Sequence, residues 1–575
     1  MSDQSGHLTS AKESIARLVK ICALKEIRYV VISPGSRNAA LTLSFAEDPR
    51  FECLNIADER VAAFFAMGIA QKLKQPVILC CTSGTAALNY APAIAEAYHQ
   101  KIPLLVLTAD RPIEWIDQRA GQTMKQKDLY ANYIKKSFEL FEEPKQPEHL
   151  WFNDRIVNEA INITTTGAHG PVHINVPMRE PLYELVPSST FADPKIIKKP
   201  KLKLELSTEA LNEIRKEWAD YKGVMVIVGQ RDPDEKLDAV IDQLAQLPQV
   251  IVLTETTSNI KSQHVLPSID RVIDSIDVTE YKNFTPQLVV SCGAAIVSKK
   301  IRFMLRQMDV KAHWHVDADD GYIDTYQSLT RLVSMDAADL FSNLMTTPSQ
   351  SEGRVSDFKN IWLDRERHTQ SKHRAYLDTC VWSDLQVMQD VLAYVPSGVL
   401  HLSSSTPIRY AQLFPHREDL LYKCNRGVSG IDGCTSTAAG YAHVHDGWVT
   451  LVIGDISFFY DSNGLWHHHL DARLRIIMIN NEGGNIFRYV KGPDKTNHLE
   501  KHFEATHQTS AEHLAKAYNV GYYRADDRDS LQVGLERLFD ESLDRPAVLE
   551  VHTPRTLNIE ILKEYFSYLK KDLSE

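Results

Sequence analysis

Cysteine is scarce and scattered. There are eight in 575 residues, two of them adjacent at Cys80 and Cys81, and no CxxC pair occurs. That excludes a disulfide scaffold and leads one to expect the reduced, mostly buried thiols of a cytoplasmic protein. Basic charge is also short: 64 Lys and Arg face 75 Asp and Glu, a formal charge of −11. No global positive field exists to hold nucleic acid or acidic lipid, so an anionic substrate would need a local basic pocket. No apolar run approaches the roughly 18 residues of a membrane span. The start, Met1-Ser2-Asp3-Gln4-Ser5-Gly6-His7, lacks the basic-then-apolar pattern of an export signal. Gly223 to Gly229 brackets a strand pattern without GxGxxG, so nicotinamide binding is unsupported. What is present is a globular composition, 43% hydrophobic and 24% charged, with 25 Gly and 25 Pro.

At about 150 residues per domain the length suggests three to four domains. Pro187 to Lys203 is rich in Pro, Ser and Lys, and Thr346 to Gly353 in Thr, Pro, Ser and Gln; both read as linkers. The expected domains are therefore 1–186, 204–345 and 354–575. Within each, short apolar runs alternate with helical periodicity, which predicts parallel sheets. In the first block the runs are Tyr29–Ile32, Phe51–Ile56, Pro76–Cys81, Leu104–Leu107 and Val172–Val176, with helices over Val61–Leu73 and Thr85–Tyr98. The second has Val224–Val228, Val250–Leu253, Leu288–Ser291 and His313–Val316. The third has Val399–Leu402, Val449–Ile453, Arg475–Ile479 and Ala547–Val551. The expected fold class is α/β, with three doubly wound parallel-sheet domains.

Ligands of such sheets sit beyond the carboxyl ends of the strands, and unusual residues cluster there. Ser33-Pro34-Gly35-Ser36-Arg37, Asp58-Glu59-Arg60, Thr82-Ser83-Gly84-Thr85 and Asp110-Arg111-Pro112 follow successive strands of the first block. One such segment is most simply a helix cap; four on one edge point to a site. In the third block one strand ends at Gly454-Asp455 and the next at Asn480-Asn481-Glu482-Gly483-Gly484. A right-handed crossover returns the chain to the same edge, which brings Asp455 and Asn481 within reach of one ion. Hard oxygen ligands in so small a number suit Mg²⁺, which fills its shell with phosphate oxygens and water.

Gly454-Asp455, 25 residues and then Asn481 resembles the diphosphate and metal motif of thiamine-diphosphate enzymes. Glu59 matches the glutamate that those enzymes place against the cofactor's aminopyrimidine. The segments above, together with Thr108-Ala109 before Asp110, Asn425 to Gly433 and Asn480 to Phe487, resemble the carboligase family of menaquinone biosynthesis that joins 2-oxoglutarate to isochorismate. The resemblance implies decarboxylation of 2-oxoglutarate and 1,4-addition of the succinyl unit. It makes Glu59 catalytic and assigns Ile431, Gly454, Asp455, Ile456, Ser457 and Asn481 to the cofactor. Mg²⁺ or Mn²⁺ would be held by Asp455, Asn481 and the Gly483 carbonyl. Both substrates are dianions, for which Arg offers two-pronged contacts. Matching positions supply Arg37, Arg111, Arg409 and Arg426, with Ser36, Gln122 and Ser405 as polar help and Ile486 and Phe487 as apolar wall. Lys299 and Lys300 match a basic pair that reads Lys-Arg in the family, so the second place keeps charge but loses the fork. Because Glu59 and Asp455 belong to different domains, the resemblance implies a site shared between subunits, hence a homodimer or homotetramer.

Other motifs carry less. His467-His468-His469 sits on a helical stretch where successive side chains diverge. Asp317 to Gly321 places its glycine one position early for a calcium loop, and Ser328 stands where such a loop needs Glu. Two rivals remain: another thiamine-diphosphate carboligase or 2-oxoacid decarboxylase, and a non-catalytic relative, which would be expected to lose Glu59, Asp455 or Asn481.

Overall fold

The computed structural model describes residues 6–200, 202–319, 321–346, 356–489 and 492–571. Residues 1–5 of the leader reading, Lys201 and 347–353 of the linkers, 354–355 at the start of the third expected domain, and Asp320 of the Asp-rich loop lie outside these. Three parallel sheets carry the chain. The first contains β1 (Tyr29–Ile32), β2 (Glu52–Asn55), β3 (Val77–Cys81), β4 (Leu104–Asp110), β5 (Ser137–Glu139) and β6 (Val172–Pro177), in the order β2-β1-β3-β4-β6-β5. The middle sheet contains β7 (Val224–Val228), β8 (Val250–Thr254), β9 (Leu288–Cys292), β10 (Ala312–Val316) and β11 (Leu329–Val333), in the order β8-β7-β9-β10-β11. The third contains β12 (Gly398–Leu402), β13 (Leu420–Lys423), β14 (Trp448–Gly454), β15 (Leu474–Asn480), β16 (Gly521–Ala525) and β17 (Ala547–His552), in the order β13-β12-β14-β15-β17-β16. The outer two sheets thus share one strand order, and the α/β class with three parallel sheets is as expected.

Strands such as β3 and β7 are buried along their whole length. Sheets covered by helices on both faces require that, so these strands read as unbroken apolar runs rather than alternating ones. The long helix expected over Thr85–Tyr98 is instead two, Thr85–Asn89 and Ala91–His99, with Pro92 in the first turn of the second. Proline lacks the N–H that a continuing helix would use.

Four helices set the domains against one another: α1 (Glu59–Leu73), α2 (Ala91–His99), α3 (Asp357–Leu377) and α4 (Cys434–His443). Asp58 caps α1 by accepting the N–H groups of Arg60 and Val61. Val61, Phe64, Phe65 and Met67 are buried in a core that α1 shares with Ala438, Ala439 and Tyr441 of α4. Burying one such side chain stabilises by roughly 1.5–3 kcal/mol. Close approach depends on glycine: a Cβ on Gly440 would lie 1.9 Å from the Phe65 carbonyl oxygen, and one on Gly68 2.1 Å from that of Thr437.

Helix α3 joins the other two domains. Trp362 is fully buried and donates to the Phe284 carbonyl at 3.2 Å, and Lys359 donates to the carbonyls of Ala245 and Leu247 at 2.7 and 2.8 Å. About three turns beyond Trp362, His373 pairs with the Tyr565 hydroxyl at 2.8 Å. The start of α3 therefore packs in the middle core and its end in the third.

Candidate active site

The shared strand order puts a switch point between β1 and β3 in the first sheet and between β12 and β14 in the third, where chain connections leave in opposite directions and open a crevice. Ser33 to Arg37 follow β1 and Thr82 to Gly84 follow β3. Ser403 to Ser405 follow β12, and Asp455 follows β14. A Cβ on Gly35 would meet Thr82 Cβ at 2.3 Å, so the first crevice closes around a glycine.

β14 and β15 are neighbours in register, which sets Asp455 and Asn481 side by side. Asp455 is 2% exposed. Its Oδ1 accepts from the Ile456 N–H at 2.6 Å and its Oδ2 from the Gly483 N–H at 2.9 Å. Asn481 donates through Nδ2 to Asp384 Oδ2 at 3.0 Å, while its Oδ1 is buried with no hydrogen-bond partner. The turn after Asn481 uses Glu482 at φ +61 and Gly483 at φ +153, the second a backbone conformation that glycine adopts without strain.

Asp384 also accepts from Thr553 Oγ1 at 2.6 Å and Asn558 Nδ2 at 2.8 Å. Burial, reinforced by the nearby Asp455 charge, pushes its carboxyl up to about 6. His507 reaches in from a distant loop: its Nδ1 accepts the Thr509 N–H at 3.0 Å, and its Nε2 stands 3.3 Å from Asp455 Oδ2. Neither Asp384 nor His507 was found by sequence reasoning. Each lies far along the chain from the motif it touches, and no spacing signals it.

The donor set fits a hard divalent cation. An unpaired buried acceptor costs about 1–3 kcal/mol, a cost that a cation on Asn481 Oδ1 would remove. Among the described residues no group of three His, Cys, Asp or Glu is arranged around a metal, so an amide and a carbonyl have to complete the set. A Cβ on Gly454 would meet nothing within 4 Å, so the space beside this backbone is open. Ser457 Oγ donates to the Ile431 carbonyl at 2.5 Å, which fixes Ile431 above the same turn. Ile456 is half-buried, as are Ile486 and Phe487 on the short helix Ile486–Tyr489.

The arginines fall into two pairs. Arg37 is buried, and it donates to the Met178 carbonyl at 3.1 Å and to Glu180 at 3.3 Å. Burial, then the charge of Arg111, lowers its pKa. Arg409 is lowered likewise, by burial and then by Arg426. All four leave a buried Nε without a partner. Like charges held together out of water favour an anion between them. Ser405 is held at φ +79 at the start of the helix that carries Arg409.

Other expected residues sit differently. Gln122 is exposed, with its backbone against Gly84, and Lys299 is exposed. Lys300 is bound to Asp274 at 2.6 Å and lies 3.4 Å over the Phe566 ring, so its charge serves the seam between domains. Glu59 begins α1, half-buried, and accepts from Asn89 Nδ2 at 3.3 Å. Ser36 is exposed on the turn after β1. His467 packs edge-on to Phe65 at 5.0 Å, His469 accepts the Asn55 N–H at 3.0 Å, and Asp317 and Asp319 both bind Lys101. These side chains serve packing and ion pairs.

Residues 14–129 match the family described as thiamine pyrophosphate enzyme, N-terminal TPP binding domain, and residues 198–400 the middle domain of thiamine pyrophosphate enzymes. With the three parallel sheets, these matches define a thiamine-diphosphate-dependent enzyme. Proteins named 2-succinyl-5-enolpyruvyl-6-hydroxy-3-cyclohexene-1-carboxylate synthase are 40% identical in Christiangramia forsetii, across 97% of this chain and 99% of that one, and 40% identical in Flavobacterium johnsoniae, across 96% and 98%. The Porphyromonas gingivalis protein of that name is 36% identical over 97% and 98%. The chain belongs to this synthase family. Among the described residues no helix is long and apolar enough to cross a membrane.

Proposed function

We propose that the chain decarboxylates 2-oxoglutarate and adds the resulting succinyl unit to isochorismate, with release of CO₂, in menaquinone biosynthesis. The observation that carries this reading is the coexistence of two elements: a buried oxygen cradle with one unpaired acceptor, and two arginine pairs whose buried Nε groups have no partner. When bound, thiamine diphosphate supplies a nucleophilic carbon and the electron sink for decarboxylation. Asp455, Asn481 and the Gly483 carbonyl would hold Mg²⁺ or Mn²⁺, with Gly454, Ile456 and Ser457 beside the diphosphate. Asp384 takes up the Asn481 amide nitrogen and so would leave its oxygen available to the ion. Glu59 would hold and return a proton at the aminopyrimidine, and Ile431 would pack against the coenzyme. Arg37, Arg111, Arg409 and Arg426 would grip substrate carboxylates, aided by Ser36, Gln122, Lys299 and Ser405, against Ile486 and Phe487. Lys300, already neutralised by Asp274, would act on this pocket only at long range.

The acid end is open to solvent. Leu88, beside Asn89, is 45% exposed, and Ile431 is 37% exposed. Apolar residues at the rims of both half-sites support completion of each site by a second copy in a homodimer or homotetramer. The test is product analysis with 2-oxoglutarate, isochorismate, thiamine diphosphate and Mg²⁺, with pyruvate as the competing donor. The succinyl adduct is expected from oxoglutarate; an adduct formed only from pyruvate would assign the chain to a different carboligation.

A further inference from the structure

One buried carboxylate outside the proposed chemistry has an unusual set of partners. Glu96 lies on α2 in the first domain and is 3% exposed. Its Oε1 accepts from the Gly427 N–H at 2.7 Å and from Gln100 Nε2 at 2.6 Å. Its Oε2 accepts from the N–H groups of Val428 at 2.6 Å and Ser429 at 3.3 Å. Three consecutive backbone amides of the third domain thus converge on one anion of the first. Such convergence needs a concave turn with a left-handed residue, and Ser429 provides it at φ +69. It also needs glycine at the contact, since a Cβ on Gly427 would lie 2.7 Å from the Glu96 carbonyl oxygen.

The clasped turn belongs to the loop from β13 to α4. Arg426 immediately precedes the first amide, and Ile431 follows two residues after the last, its carbonyl held by Ser457. Upstream, the Asn425 carbonyl accepts from Ser404 Oγ at 3.1 Å. The loop is therefore fixed from its own domain at both sides and from the first domain at its middle. Hydrogen bonds to an ionised acceptor are about twice as strong as neutral ones. An amide in place of the carboxylate would set an NH₂ group against backbone donors.

We propose that Glu96 is a positioning residue of the reaction, which acts across the domain boundary to aim Arg426 at a substrate carboxylate. This rests on reading Arg426 as a substrate ligand. The test measures kcat and KM for both carboxylate substrates in Glu96→Gln, Glu96→Asp, Arg426→Ala and the double variant Glu96→Gln/Arg426→Ala. Arg426→Ala should raise KM for one substrate. Glu96→Gln should raise KM for the same substrate by about tenfold, the size of one lost charge-assisted bond, with a smaller change in kcat. Glu96→Asp, which keeps the charge, should raise it less. The double variant should have the KM of Arg426→Ala alone, because residues that act through one another are not additive. Arg426→Ala with ordinary KM values would remove Arg426 from the pocket, and this proposal with it. A raised KM in Arg426→Ala beside an ordinary one in Glu96→Gln, or effects that multiply, would overturn the Glu96 proposal alone. Should Glu96→Gln not fold, an ordinary KM in Glu96→Asp would overturn it equally.

Discussion

The two ends of the candidate site are built differently. At the β14–β15 edge, Asp455 and Asn481 are 2% and 4% exposed, and their bonds run from 2.6 to 3.0 Å. Behind them Asp384 is held in turn by Thr553 and Asn558. At the start of α1, Glu59 is half-buried and has the 3.3 Å contact from Asn89. A binding site gains from rigidity, because an ion needs its ligands placed before it arrives. A proton-exchanging acid needs only to reach its partner, and a loosely held one can be completed by another surface. The cradle is therefore read as the part that binds, and the acid as the part that acts.

The largest effect should come from separating those two roles. Glu59→Gln is expected to lower turnover by roughly 10²–10⁴-fold, the usual contribution of a positioned proton transfer, while coenzyme affinity measured by fluorescence titration stays near that of the unaltered chain. Loss of coenzyme affinity in this variant would erase the contrast. The same variant sharpens the contrast in another way. Refolded together with inactive Asp455→Ala, it should recover up to about a quarter of full activity, since a shared site leaves one intact centre in each mixed dimer. No recovery would place both ends within one chain.

The comparison also explains what was legible in the sequence. β1 and β7 were read to the residue because central strands buried on both faces give unbroken apolar runs. Within the three parallel sheets the strands that escaped, β5, β11, β13 and β16, are all edges. Of these, Gly521–Ala525 and Leu329–Val333 mix exposed and half-buried positions and lose the run. The adjacency of Asp455 and Asn481 was legible because consecutive parallel strands return to one edge. Asp384 and His507 were not, because tertiary packing alone brings them there. Lys300 matched a family position in the sequence, but its ion pair with Asp274 on a neighbouring helix was not legible there, because tertiary packing alone brings the two together.

A second-layer change should cost less than a change in the acid. Asp384→Asn keeps the shape behind Asn481 but removes the anion that orients its amide. Metal affinity should fall about 10–100-fold, the usual penalty for an altered outer partner, and coenzyme affinity should fall with it at limiting Mg²⁺. Excess Mg²⁺ should restore turnover, as it should not for Glu59→Gln. Rescue of both variants by the ion, or of neither, would mean that the two ends do not divide binding from chemistry.

The smallest change tests whether the cradle is open for the reason given. A Cβ on Gly454 meets no atom within 4 Å, whereas one on Gly440 would strike the Phe65 carbonyl at 1.9 Å. Gly454→Ala should therefore leave the thermal midpoint unchanged, because φ at this position is −80° and suits any residue. The added methyl would occupy space claimed for the diphosphate, so coenzyme affinity should fall by a few-fold to about tenfold, on the order of 1 kcal/mol for displaced packing. Gly440→Ala should do the opposite: it should lower the midpoint by forcing α1 and α4 apart, while any protein that still folds binds the coenzyme. If Gly454→Ala instead binds it normally, the open space beside that glycine has another use, and the diphosphate must lie away from the β14 edge.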